Sequence, residues 1–297
     1  MNNIFKPLFC FVAFCSCQKP IDKFPDPPPP AVGSPFVDTA VSAGITPGVI
    51  DEASGIADSK NNTGALWVEQ DSGNPPDLWL LSYSSIVQKQ VHIDGAENRD
   101  WEDMAMGNGP VAGESYIYIA ETGDNLTHFP DYAIYRFIEP KATEDTIFNW
   151  EKINFQYPDG SHDAEAMLLD NATKDIYIIT KRDSVSKIYK LGYPQNTATV
   201  ITADSVGQFS FTGVVSAAIS PDETELLVKT YSNIYYWKRQ SGESILAAFK
   251  RTPLTLGYVL EPQGEAVCFK NDNSGFFTLS EKPSIIPSVS LNEYHRK

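Results

Sequence analysis

The sequence predicts an all-β chain folded as a β-propeller of five four-stranded blades, and three observations predict it. First, a phrase recurs: an acidic or small polar residue, an apolar run, a turn, then an aromatic-rich segment. Its anchors are Glu52 (EASGIA), Glu102 (WEDMAM), Glu165 (AEAMLL), Ser216 (SAAISP) and Glu265 (GEAVCF). Internal similarity at a period of about 50 residues, with room for four short strands per unit, is how propeller blades read. Second, hairpin chemistry follows each apolar run. Third, no long helical periodicity occurs anywhere, and residues 141–149 hold a helical turn at most.

Each blade is justified in chain order. The inner strands are GIADS, DMAMG, AMLLD, AAISP and AVCFK. They end in SKNNTG, GNGPVAG, DNATKD, PDETE and NDNSG, whose Gly, Asn, Asp and Pro supply the backbone angles of tight turns. Second strands follow as ALWVEQ, YIYIAE, DIYIIT, ELLVKT and GFFTLSE, rich in β-branched and aromatic residues. Third strands are LWLLS, AIYRF, KIYKL and NIYYW, with the last within residues 285–294. Outer strands are QVHID, INFQY, TVITA and AAFKR. The fifth unit lacks an outer strand, and residues 36–44 are free to supply it, which removes an exposed edge from the ring. The alternative is six blades, with one hidden in residues 126–160, inside the longest interval between anchors.

The ends read differently from the blades. Residues 1–16 carry one early cation, Lys6, and an apolar run into FVAFCSC, as a secretory signal does. Ser16–Cys17 matches a bacterial lipobox, with Cys17 lipidated. Residues 17–35 include four consecutive prolines, Pro27 to Pro30, and read as a semi-rigid tether. The propeller then spans 36–297. The expected location is the bacterial cell envelope, tethered to a membrane on its periplasmic or outer side. Only Cys268 remains within the domain, in the apolar strand AVCF, where it packs as a small hydrophobe. The formal charge is -15, from 23 basic and 38 acidic residues. Nucleic-acid binding needs a basic footprint and is excluded on this ground. A monomer is expected.

Inner strands line a propeller's axis, so Glu52, Glu102, Glu165 and Glu265 are expected to converge. Two carboxylates ~5 Å apart at an effective dielectric of ~20 repel by about 3 kcal/mol. Such a ring is relieved by a bound cation, by raised pKa values, or by pairing with Lys181 and Arg182. Calcium takes hard oxygen ligands, and Asp124 and Asn125 of ETGDN add candidates. Zinc lacks a Cys/His set here. The expected rim also holds Ser54, Asp71, Asp100, Glu121, Asp163, Tyr231, Gln263 and Glu281. His162, beside the third anchor, is a candidate general base, and Arg182 and Lys181 are candidate anion holders. Glu102 and Glu165 are candidate catalytic carboxylates. The plain alternative is that these acids cap backbone N–H groups and pair with neighbouring cations. GxSxG, HExxH, Walker and dinucleotide motifs are absent.

At these residues the chain resembles a family of uncharacterised bacterial secreted or lipoprotein β-propellers. The matching phrases run from EASGIA (52–57) through NRDWEDMA (98–105), YPDGSHDAEAM (157–167), TKR (180–182) and EPQGEAV (261–267) to TLSE (278–281). Where members read close to GDIGDN this chain has AETGDN, with Glu121 keeping the charge on a longer arm. More distantly the blades are similar to calcium-dependent propeller esterases, lactonases and phytase-like phosphoesterases. The family brings no settled activity; the converging Glu52, Glu102, Glu165 and Glu265 beside Lys181, Arg182 and His162 give the expectation of a calcium-dependent hydrolase of an ester, lactone or phosphoester. The alternative is a non-catalytic module that binds a small molecule, glycan or protein on its channel face.

Overall fold

The computed structural model describes residues 33–297. The signal segment, Cys17 and the tether up to residue 32 lie outside the described residues. β1 (Val41–Gly44) comes first. Blade one holds β2 (Ala53–Asp58), β3 (Ala65–Gln70), β4 (Asp77–Ser82) and β5 (Val87–Ile93). Blade two holds β6 (Trp101–Asn108), β7 (Ser115–Glu121), β8 (Tyr132–Ile138) and β10 (Glu151–Gln156), while the two-residue β9 (Thr146–Ile147) between the last two joins the edge of blade one. Blade three holds β11 (Ala164–Leu169), β12 (Ile176–Thr180), β13 (Lys187–Leu191) and β15 (Asp204–Gln208), while the two-residue β14 (Ile201–Thr202) joins the edge of blade two. Blade four holds β16 (Val214–Ile219), β17 (Glu225–Thr230), β18 (Ile234–Lys238), α1 (Ile245–Phe249) and β19 (Leu254–Leu256). Blade five holds β20 (Gly264–Phe269), β21 (Gly275–Ser280) and β22 (Ser290–His295).

The five sheets form a closed ring. Each inner strand neighbours the next, β2 to β6, β11, β16, β20 and back to β2. Every first hairpin turns through a residue of positive φ: Gly64, Gly113, Lys174, Glu223 and Asn273. β1 pairs antiparallel with β22, so the N-terminal strand completes blade five as expected. Phe36 locks this closure. It is buried between Phe269, Phe276 and Tyr236, and the Arg296 guanidinium stands 4.7 Å above its ring.

Apolar packing falls into layers between neighbouring blades, because each twisted sheet buries both faces against the next. Trp67 with Trp101 and Tyr135 fills the first interface, and Phe209 with Trp237 and Phe249 the layer between blades three and four. Cys268 is a free, buried thiol in the layer between blades five and one.

The six-blade alternative is corrected. Residues 126–160 hold β8 and β10, the outer half of blade two, and between them β9, which reaches back to pair parallel with β5 at the edge of blade one and lengthens the interval. Two outer strands also differ. In TVITA, Ile201 and Thr202 pair parallel with β10 of blade two, and the outer strand of blade three is β15. AAFKR lies at the end of α1, where Ser244 Oγ accepts from the Ala247 N–H and Ala248 and Phe249 face the core. Ala, Leu and Phe have no β-branch to resist a capped helix.

Candidate functional site

A bulge opens every inner strand. The register against the second strand slips between Trp101 and Asp103, Ala164 and Ala166, Val214 and Ser216, and Gly264 and Ala266. The extra residue is therefore Glu102, Glu165, Val215 and Glu265. In blade one the slip spans Ala53 to Ile56 and puts Ser54 at the equivalent place. Bulges re-aim a side chain, and here three carboxylates turn inward at 4, 3 and 5% exposure. The expected ring of four is thus corrected to three. Glu52 lies two residues early and exposed, with Asn74 Nδ2 donating to it at 2.9 Å. Ser216 follows Val215 and faces the axis below.

Two triads form at this rim, Asp71–Asp100–Glu102 and Glu102–Asp163–Glu165. Within each, one oxygen from every carboxyl lies within 4.8 Å of the others. Gly123 of ETGDN makes room for the first triad: a Cβ there would lie 2.1 Å from Glu102 Oε1 and 2.4 Å from Asp100 Cγ. The second triad is already compensated. Lys181 Nζ donates to Glu165 and, at 2.9 Å, to Tyr231 Oη, and lies 3.8 Å from Glu265 Oε1. Tyr231 in turn donates to Glu265. Arg182 Nε pairs with Asp163 Oδ2 at 2.5 Å, while half of its side chain stays exposed. The ammonium of Lys181 thus occupies the ground that a second cation would need.

The first triad has no such relief. Among the described residues no ion pair reaches Asp71, Asp100 or Glu102, although the Lys181 ammonium, held by Glu165, feels the Glu102 charge. Burial, then the charges of Glu165, Asp71, Asp100 and Asp163, push Glu102 well above the usual carboxylate range. Burial and then the Asp71 charge raise Asp100 to about 6, and the two aspartates share a hydrogen bond. Glu165 rises to about 8 through burial, against the pull of Lys181. Glu281 also rises to about 8, through burial and then Glu265.

Other predicted residues sit elsewhere. His162 is buried with both ring nitrogens engaged: Nδ1 lies 3.0 Å from Asp183 Oδ2, and Nε2 lies 3.1 Å from Asp159 and 2.9 Å from Tyr189 Oη. Asp124 turns its oxygens to the N–H groups of His128 and Phe129 and to Tyr132 Oη, which holds its own loop. Asn125 is exposed. Trp101 is core, donating to Glu121 at 3.3 Å.

Sequence reasoning missed the buried charges of Asp103, Glu69 and Lys229, among others. Asp103 lies on the axis beneath Glu102. Glu69 is fully buried against Gly55, with neither oxygen in a well-aligned hydrogen bond, and burial raises its pKa well above normal. Lys229, also fully buried, lies 3.2 Å from Glu261. The signal was a charged residue inside an otherwise apolar inner or second strand. An axial cavity of about 60 Å³ lies at the opposite end, lined by Ile56, Met104, Met167, Ala217 and Val267.

Comparison with known proteins adds a likeness of fold. The chain is similar to the WD40 repeats of RRP9, at 10% identity and a TM-score of 0.39, over 82% of this chain and 67% of that one. It is also similar to a chain of a nidogen/laminin complex, at 11% identity and a TM-score of 0.47, over 77% and 72%. No protein-family model matches, and no curated protein matches.

Proposed function

We propose that this chain is an exported, lipid-anchored, monomeric propeller that binds one calcium ion at its carboxylate rim and there hydrolyses an ester, lactone or phosphoester. Glu102 carries the reading: a carboxyl 4% exposed at the junction of two triads, with no ion pair among the described residues. An unpaired buried charge is too costly to keep, so Glu102 holds a proton or a metal. Asp71, Asp100 and Glu102 would hold the ion, with water and backbone oxygens completing the 6–8 ligands calcium takes. When bound, it supplies a Lewis acid for the scissile group.

The remaining roles belong to the chain. Burial raises Glu165 to about 8, and Lys181 positions it, so that it can hold a proton for general acid/base work. Arg182, half exposed, can turn from Asp163 to an anionic substrate oxygen. His162 has no free ring nitrogen and is given no chemical role.

Thermal unfolding in calcium and in chelator, with elemental analysis, tests the site. Calcium at about a hundredfold over its Kd should stabilise the fold by ~2.7 kcal/mol. Glu102→Gln should abolish that shift while the protein stays folded. A chain that carries no metal and shows no shift sinks the cation site. Separately, Cys17→Ser should abolish acyl labelling and release the protein from the membrane fraction; labelling that persists would overturn the anchor.

A non-catalytic binding module is the second reading. It is favoured by the second triad being neutralised by Lys181 and Arg182, and by the axial cavity lying at the other end. A calcium-loaded protein that binds a small molecule or glycan but turns over no ester, lactone or phosphoester would decide for it.

A further inference from the structure

We infer that the axial cavity at the end opposite the carboxylate rim is a socket for a small aliphatic α-amino acid of about the size of valine. The inference goes beyond the cation-site reading and stands apart from it, since no carboxylate of either triad lines the cavity. All five inner strands do, through Ile56, Met104, Met167, Ala217 and Val267.

The floor is apolar and deformable. Met104 and Met167 are buried in it, while Ala105 and Met106, in the same wall, keep partial exposure, as residues facing an open socket do. Unbranched thioethers adjust to the shape of what enters. An apolar cavity of ~150 Å³ takes benzene, and on that scale about 60 Å³ takes roughly three carbons, an isopropyl group.

A polar mouth separates this cavity from a packing defect. Asp58 ends β2, and Lys60, Asn171 and Asn271 stand in the hairpin turns that follow inner strands, so these residues bound its outer end. Asp58 accepts from Tyr83 Oη and from the Asn271 N–H, each at 2.7 Å and on a different oxygen, so both oxygens keep acceptor capacity. Burial raises its pKa to about 6, which leaves it charged above neutral pH. The Lys60 N–H donates to Glu139 Oε1 at 3.1 Å, which pins its turn, and among the described residues its ammonium pairs with no carboxylate. Asn171 Oδ1 accepts from the Asn108 N–H at 2.7 Å, which leaves its Nδ2 to donate. Gly107 makes room for that side chain, since a Cβ there would lie 2.0 Å from Asn171 Oδ1. A ligand with an ammonium for Asp58, a carboxylate for Lys60 and Asn171, and an isopropyl group for the floor satisfies mouth and floor together. A ligand of one sign leaves one of the two charges unmatched.

Calorimetric titration above neutral pH with L-valine, isobutylamine and isovalerate tests this, because the alkyl group is constant and only the charges vary. L-Valine should bind at one site with a Kd of about 1 mM or below, and at least about tenfold more tightly than either of the others. Lys60→Gln should remove its advantage over isobutylamine, and Asp58→Asn its advantage over isovalerate. Ala105→Leu, which fills the floor, should abolish valine binding. Lys60 is exposed, so its variant keeps the test open where a core change fails to fold. Affinities should be the same in calcium and in chelator, and valine binding lost in chelator would assign the ligand to the rim and overturn the inference. No saturable heat from L-valine, or equal affinities for the three compounds, overturns it and leaves the cation site standing. Valine binding that survives Ala105→Leu in a folded protein places the ligand elsewhere and overturns it too.

Discussion

Asp103 accepts hydrogen bonds from three inner strands at once. Its oxygens take the N–H groups of Met104 at 2.9 Å, Met167 at 2.8 Å and Ala217 at 3.3 Å, and the Ser216 hydroxyl at 3.1 Å. Ser216 Oγ in turn accepts from the Val267 N–H at 3.2 Å, so blades two to five meet through two side chains. Each buried donor left without a partner costs ~1–3 kcal/mol. Asp103→Ala should therefore destabilise the fold by about 3 kcal/mol or more in chemical denaturation, with Asp103→Asn intermediate. A loss below ~1 kcal/mol would mean that strand packing alone holds the axis. In WEDMAM the two acids are adjacent, and only Glu102 was legible as an anchor. The bulge that separates their directions leaves no mark on spacing. The same blindness put Glu52 in the ring, because matching the first acidic residue of each phrase ignores where the extra residue sits.

At the scale of elements, legibility followed what decides each strand. Inner and second strands are bounded by turn residues and packed on both faces, so their sequence alone marks them, and all five hairpins lie where it placed them. Outer strands are decided by what lies beside them. Thr146–Ile147 and Ile201–Thr202 are too short to carry a periodic signal, and each is a strand only because the preceding blade offers an open edge. Residues 245–249 hold Ile, Leu, Ala and Phe, apolar enough for either state, and the Ser244 cap selects the helix. The closing strand was legible for a topological reason: one blade was a strand short at the C-terminus and one segment was spare at the N-terminus. Phe36, which anchors that closure among three aromatic rings, was not, since nothing in its neighbourhood in sequence names its partners.

The molecule as a whole carries its strain at one rim, and pH should report it. Glu165 and Glu281 titrate at about 8 in the fold, against an ordinary 4.5, and Asp100 at about 6 against 3.8. Between those values the folded chain keeps protons that the unfolded chain has released. Stability from these groups is therefore fully present below the ordinary values and is lost as pH rises through about 6 to 8. Asp159 acts in the opposite sense. Burial raises it, but Lys187, Tyr189 and His162 outweigh burial and hold it at about 2, so its contribution is lost only as pH falls through that value. In chelator, then, the unfolding temperature should be highest near pH 4–6 and fall toward pH 9. Calcium competes with protons for the same oxygens. Its stabilising shift should be small at pH 5.5 and large at pH 8.5, and Glu102→Gln should flatten the difference. Unfolding scans over that range in both media check it. A calcium shift equal at the two pH values, or a metal-free protein most stable at pH 9, would mean that the rim holds its protons and charges independently of any cation.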